Sequence, residues 1–191
     1  MQMTADPQIL LDCDVVIHFL KGGKIMELPT IFPGRFVMLD KVKNELMKRN
    51  SNFLAINIFL KAGAVAEIPM PTEPNIVKEY LMLKKTMDDG EAACLAVAKF
   101  RKEYVASSNI TQIATYCNSN GIIYYTTMDL LHEATIKGVM TDSECNLFIK
   151  EVKSKNSRLP CDTIEEYRKM KGINTLKKAD SPTIPVTPDK I

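Results

Sequence analysis

The chain has 191 residues, and 25 Lys and Arg against 23 Asp and Glu leave a formal charge of +2. With 46% hydrophobic and 25% charged residues it has the composition of a globular protein, long enough for one cored domain and a tail. The near-neutral balance excludes a chain that coats nucleic acid by bulk charge, while leaving room for a local basic face beside an acidic site.

The first apolar run, residues 9–20, is broken by Asp12 and Asp14. It is too short to span a bilayer and lacks the basic start of a signal peptide, so no membrane partner is expected. Five cysteines, odd in number and with no CxxC pair, argue against a zinc knuckle and suit a reducing compartment. A cytoplasmic location is the expectation.

Residues 8–12 read as a strand, because Ile9, Leu10 and Leu11 are consecutive apolar residues as in a strand buried on both faces. Asp14 is expected to cap a helix through Val15, Val16, Phe19 and Leu20, stopped by Gly22 and Gly23. A second short helix is expected over 24–32, cut by Pro29. Residues 36–39 form a second strand, and Asp40 caps a helix holding Val42, Glu45 and Leu46. A helix over 53–60, a strand over 65–68 and a helix over 75–86 follow. Asp89 and Gly90 open an Ala-rich helix over 91–100. Residues 104–106 are a strand, 110–117 a helix, and 122–126 a β-branched strand after Gly121. Helices over 130–136, 143–152 and 162–170 complete the pattern.

Beyond Asn174 the composition changes: Pro182, Pro185 and Pro188 interleave with Ser, Thr, Asp and Lys. A disordered tail is expected over 173–191, leaving 1–172 as the domain. The alternation of strand and helix implies an α/β fold, a three-layer α/β/α sandwich around a central parallel sheet. Such sheets bind ligands outside the carboxyl ends of their strands.

Acids just past those ends are therefore the candidates. Asp12 ends the first strand, where an unpartnered carboxylate is costly to bury. It is either a helix cap or, if Asp14 takes that role, a ligand for a cation. Glu45 lies on an amphipathic helix and reads as a solvated helix residue or a site acid. Glu91 sits in a first helical turn, where the helix macrodipole alone would favour an acid. Together the three suit metal-assisted phosphodiester hydrolysis, since Mg²⁺ and Mn²⁺ prefer oxygen ligands and activate water. No Walker loop, GxGxxG or GxSxG is present, so nucleotide-cofactor and serine-hydrolase chemistry have no support. Among the basic residues, Lys21 and Lys24, just past the first helix, are the candidates for holding substrate phosphates. His18, His132 and Cys13 read as packing residues.

The stretch Leu10-Leu11-Asp12-Cys13-Asp14-Val15-Val16-Ile17 resembles the opening motif of the PIN (PilT N-terminus) domain family. Val42-Lys43-Asn44-Glu45-Leu46 resembles its second acidic motif, and Asp89-Gly90-Glu91-Ala92-Ala93 its Gly-Glu-Ala helix. Residues 121–138 and 148–160 are similar to the late segments of the branch that carries that motif. The resemblance covers residues 8–171. It implies a small parallel-sheet domain with an acidic pocket that binds Mg²⁺ or Mn²⁺ and cuts RNA, less often DNA. It also implies, for many bacterial members, a toxin restrained by an antitoxin protein, and a homodimer.

Carried over by residue, Asp12 is the first metal ligand, Glu45 the second acid and Glu91 the third acid and a metal ligand. The fourth acid aligns with Ser108, which brings a hydroxyl but no charge. Asp129, after the next strand, is either a substitute acid or a helix cap. Two functions are thus expected: a metal-dependent ribonuclease in which Ser108 orients water or substrate, or an impaired fold that binds RNA or a protein.

Overall fold

In the computed structural model, which describes residues 6–49, 53–62 and 65–173, the five strands are β1 (Ile9–Leu11), β2 (Phe36–Leu39), β3 (Ala66–Ile68), β4 (Tyr104–Ala106) and β5 (Tyr124–Tyr125). All pairings are parallel, in the order β3-β2-β1-β4-β5. Ile9, Leu10 and Leu11 are buried because β1 is central and covered on both faces, which explains an apolar triplet without alternation. Ile9 stands opposite Phe36 on one side and Tyr104 on the other.

Ten helices are described: α1 (Cys13–Lys21), α2 (Leu28–Ile31), α3 (Asp40–Arg49), α4 (Phe53–Lys61), α5 (Pro74–Leu83), α6 (Asp89–Arg101), α7 (Ile110–Asn120), α8 (Thr127–Ile136), α9 (Asp142–Ser154) and α10 (Ile164–Met170). The chain moves outward from β1 to β2 and β3, then returns through α5 and α6 to β4 on the other side of β1. Right-handed crossovers running in opposite directions lie on opposite faces, which produces the three-layer α/β/α sandwich. The strand order reverses between β1 and β4, and ligands of open α/β sheets bind outside the carboxyl ends of the strands at such a point.

The helix that packs against this part of the sheet is α6, which touches β1, β2 and β4. Its run from Ala92 to Ala98 is buried throughout. Four alanines let its backbone come close, and the Cys94 thiol reaches the Leu11 carbonyl at 3.7 Å. On the other face α1 packs on α9, with the Phe19 and Phe148 rings 5.0 Å apart, and α8 packs on α2 and α10. All five cysteines are buried thiols.

Several boundaries differ from expectation for local reasons. Only Leu28–Ile31 of the expected second helix forms, because residues 25–27 make a turn closed by the Glu27 amide on the Lys24 carbonyl at 3.2 Å. Helix α8 begins three residues early because Thr126 and Asp129 form a reciprocal capping box. Helix α5 starts at Pro74 and stops at Leu83. Of the expected tail, all but Ile173 lies outside the described residues. Among the described residues no helix is long and apolar enough to cross a membrane.

Candidate functional site

At the carboxyl end of β1 the Asp12 amide donates to the Ala106 carbonyl at 2.9 Å, one more rung of the β1–β4 pairing. Asp12 stays extended (φ −94°, ψ 161°) and is itself the N-cap of α1, accepting from the Cys13 amide at 2.8 Å. The expectation that Asp14 is the cap is corrected here. The helix starts directly after the strand, so the half-in position falls on Asp12. Asp14 occupies the first turn instead, and its Oδ2 accepts from the Ser108 amide, just past β4, at 2.8 Å.

Glu91 enters from the first turn of α6 and is only 3% exposed. Neither of its carboxylate oxygens has a hydrogen-bond partner, and Asp14 Oδ1 is likewise buried without one. Native interiors seldom tolerate such oxygens, because each forgoes its hydration. Glu45 comes from α3, and its Oε2 accepts from the Gly90 amide at 2.8 Å. That approach requires glycine: a Cβ on residue 90 would lie 3.0 Å from Glu45 Oε2 and 3.2 Å from the Val42 Cα.

The carboxyls influence one another. Burial raises Asp12 well above the usual carboxylate range, and the charges of Asp14 and then Glu91 raise it further, against the Cys13 amide and the Ser107 hydroxyl. Burial pushes Asp14 up to about 6, against the Ser108 amide from which it accepts. Glu91 is pushed up to about 7 by burial first, then by Asp14 and Asp88, with Glu45 adding less. Asp14 is therefore the strongest neighbouring charge for both Asp12 and Glu91. The inner group is Asp12, Asp14 and Glu91, with Glu45 at its margin.

Ser108 does not turn its hydroxyl toward this group. Its Oγ accepts from the Thr127 amide at 2.8 Å and shares a 2.6 Å hydrogen bond with Thr127 Oγ1. The neighbouring Asn109 donates its side-chain amide to the Gln112 carboxamide oxygen. Thr127 Oγ1 is also 2.8 Å from His18 Nδ1. Burial, with the charge of Lys21, holds His18 down to about 4, so its ring is neutral at pH 7.

Asp129 is committed elsewhere. Its Oδ2 accepts from the Thr126 amide at 2.7 Å and from the Thr126 hydroxyl at 2.6 Å, and its Oδ1 from the Tyr167 hydroxyl. It is a capping residue, not a substitute acid. Lys21 donates to the Lys155 carbonyl and Ser157 hydroxyl, each at 2.8 Å, and Lys24 pairs with Glu144 at 3.0 Å and Glu27 at 3.2 Å. Lys21 closes α1, about 13 Å along the helix axis from Asp12, and Lys24 follows it; their contacts join this end of α1 to α9 and the turn after it.

Asp14 stands beside Asp12 and Glu91 although sequence reasoning gave it only a capping role. The signal for Asp14 was the direct strand-to-helix junction, which gives Asp12 the capping position.

The donor set suits a hard cation. It consists of oxygen atoms, while the nearby Cys13 and Cys94 thiols are directed to the Val42 and Leu11 carbonyls. Among the described residues no three His, Cys, Asp or Glu side chains form a ready-made metal cage. Mg²⁺ does not need one, since it keeps several waters and takes one or two carboxylates beside a substrate phosphate. Buried carboxylate oxygens without donors fit that mode and do not fit a closed tetrahedral zinc site. Neither a scan against models of known protein families nor a search of curated proteins returns a match to this chain.

Proposed function

We propose that the chain is a Mg²⁺- or Mn²⁺-dependent phosphodiesterase that hydrolyses RNA in the manner of the PIN family. The observation that carries the reading is Glu91: a carboxylate 3% exposed, with neither oxygen hydrogen-bonded, whose charge raises Asp12 at the carboxyl end of β1. A divalent cation neutralises such a group, whereas a purely structural acid would have a donor.

Asp12 and Glu91 are the residues that would hold the ion. When bound, the ion supplies charge neutralisation on the phosphate and a more acidic water at neutral pH. Asp12 is oriented by its capping bond to the Cys13 amide. Glu45, through the Gly90 amide, fixes the first turn of α6 and so the direction from which Glu91 enters. RNA as the substrate, an antitoxin as a partner and a second copy of the chain as a dimer mate follow from the sequence resemblance.

The test is cleavage of labelled RNA by the full chain with Mn²⁺ or Mg²⁺, beside Asp12→Asn and Glu91→Gln. Cleavage that needs the metal and is lost in both variants supports the proposal. No cleavage by the wild type under any metal, with RNA still retained in a binding assay, supports the rival reading of an impaired fold that acts by binding.

A further inference from the structure

We infer that Asp14 supplies the fourth negative charge of the site and that Ser108, Thr127 and His18 brace it there. This rests on the metal-dependent reading above and deepens it. The sequence left the pocket one acid short, with a serine where a carboxylate was expected past β4. The missing charge arrives from the opposite side of the same peptide: Asp14 Oδ2 sits 2.8 Å from the Ser108 amide.

Capping does not account for Asp14. The capping of α1 is done by Asp12. Accepting one amide needs one oxygen, yet Asp14 Oδ1 remains buried with no partner, as do both oxygens of Glu91. An asparagine would serve the Ser108 amide equally well without placing another like charge beside Asp12 and Glu91. A second anion in the first turn of α1 makes sense as part of a cation-binding edge.

The brace is a closed ring through three elements. The Ser108 amide holds Asp14, and the Ser108 hydroxyl is held by the Thr127 amide at 2.8 Å and the Thr127 hydroxyl at 2.6 Å. The Thr127 hydroxyl reaches His18 at 2.8 Å, and His18 lies one helical turn beyond Asp14 on the same face of α1. Thr127 and His18 are both buried, so water does not compete for these bonds. The ring fixes the exit of β4 against α1, and with it the donor that aims Asp14.

The experiment measures Mn²⁺ affinity of the full chain by calorimetry, with melting temperature in EDTA recorded for each protein. The set is wild type, Asp12→Asn, Asp14→Asn, Thr127→Val and Thr127→Ser. Asp14→Asn is expected to weaken Mn²⁺ binding by roughly ten- to a hundredfold, the weight of one close charge after screening, while the metal-free melting temperature stays level or rises. Thr127→Val is expected to weaken binding by roughly tenfold, as loss of an outer-shell partner does, and Thr127→Ser to keep wild-type affinity. If Asp12→Asn abolishes binding but Asp14→Asn leaves it unchanged, the inference falls and the metal-dependent reading stands. If Asp14→Asn lowers the metal-free melting temperature along with the affinity, Asp14 is a fold clamp and the inference falls. A wild type that binds no Mn²⁺ and cleaves no RNA overturns both.

Discussion

Replacing Glu91 with Gln should make the metal-free protein more stable at pH 8. The carboxyl rises from 4.5 to about 7 in the folded chain, mainly by burial and then by the charges of Asp14 and Asp88. An acid with a raised folded value holds its proton more tightly folded than unfolded. Its stabilising contribution is complete below the unfolded value and is lost as pH climbs through the folded one. Carried to pH 8, the full shift costs the folded state about 3 kcal/mol. Relaxation and water penetration around the buried group reduce this to about 1–2 kcal/mol. Gln keeps the shape of Glu and removes the charge, so that cost is relieved. For a chain of this size the gain in melting temperature at pH 8 is about 2–8 °C, shrinking toward zero near pH 4.5. Thermal unfolding in EDTA across this pH range is the assay. A variant that melts below wild type at pH 8, with a difference independent of pH, would show that Glu91 has a donor and a structural role, and the reasoning fails.

Gly90→Ala brings a Cβ to 3.0 Å from Glu45 Oε2 and 3.2 Å from the Val42 Cα; the overlap outweighs the better helix propensity of Ala and costs about 1 kcal/mol, read by urea unfolding. Gly22→Ala places a methyl into the Phe148 ring, which is locked against Phe19 at 5.0 Å; a cost of about 2–3 kcal/mol is expected, and unchanged stability would contradict the packing described. Arg168→Met removes a bidentate pair to Asp142 at 2.6 and 2.7 Å and a 2.7 Å bond to Thr135 that fasten α10 to α8 and α9. Because the Asp142 side chain is 44% exposed and can rehydrate, the loss is about 2 kcal/mol, less than for a fully buried pair. Faster proteolysis within α10 checks it.

The central strands were legible because burial on both faces leaves no alternative to an apolar triplet, and β1, β2 and β4 fall within a residue of the expectation. The edge strand β5 was not: of the expected 122–126 only Tyr124 and Tyr125 pair, since an edge strand gains bonds from one side alone. Helix starts failed where the capping residue lay outside the apolar pattern, as at Thr126 and Asp12. At the site, the acids just past strand ends were readable from position. Their partners were not, because a hydrogen bond between residues 94 positions apart, such as Ser108 to Asp14, leaves no trace in local pattern. The same holds for Lys21 and Lys24, whose partners Ser157 and Glu144 lie more than a hundred residues away.

The most direct measurement is an anomalous difference map from crystals grown with Mn²⁺. The account predicts one strong peak at the carboxyl ends of β1 and β4, within bonding reach of Asp12 and Glu91, and its loss in crystals of Asp12→Asn. A map with no peak at that edge, or with Mn²⁺ bound only elsewhere on the chain, would contradict it.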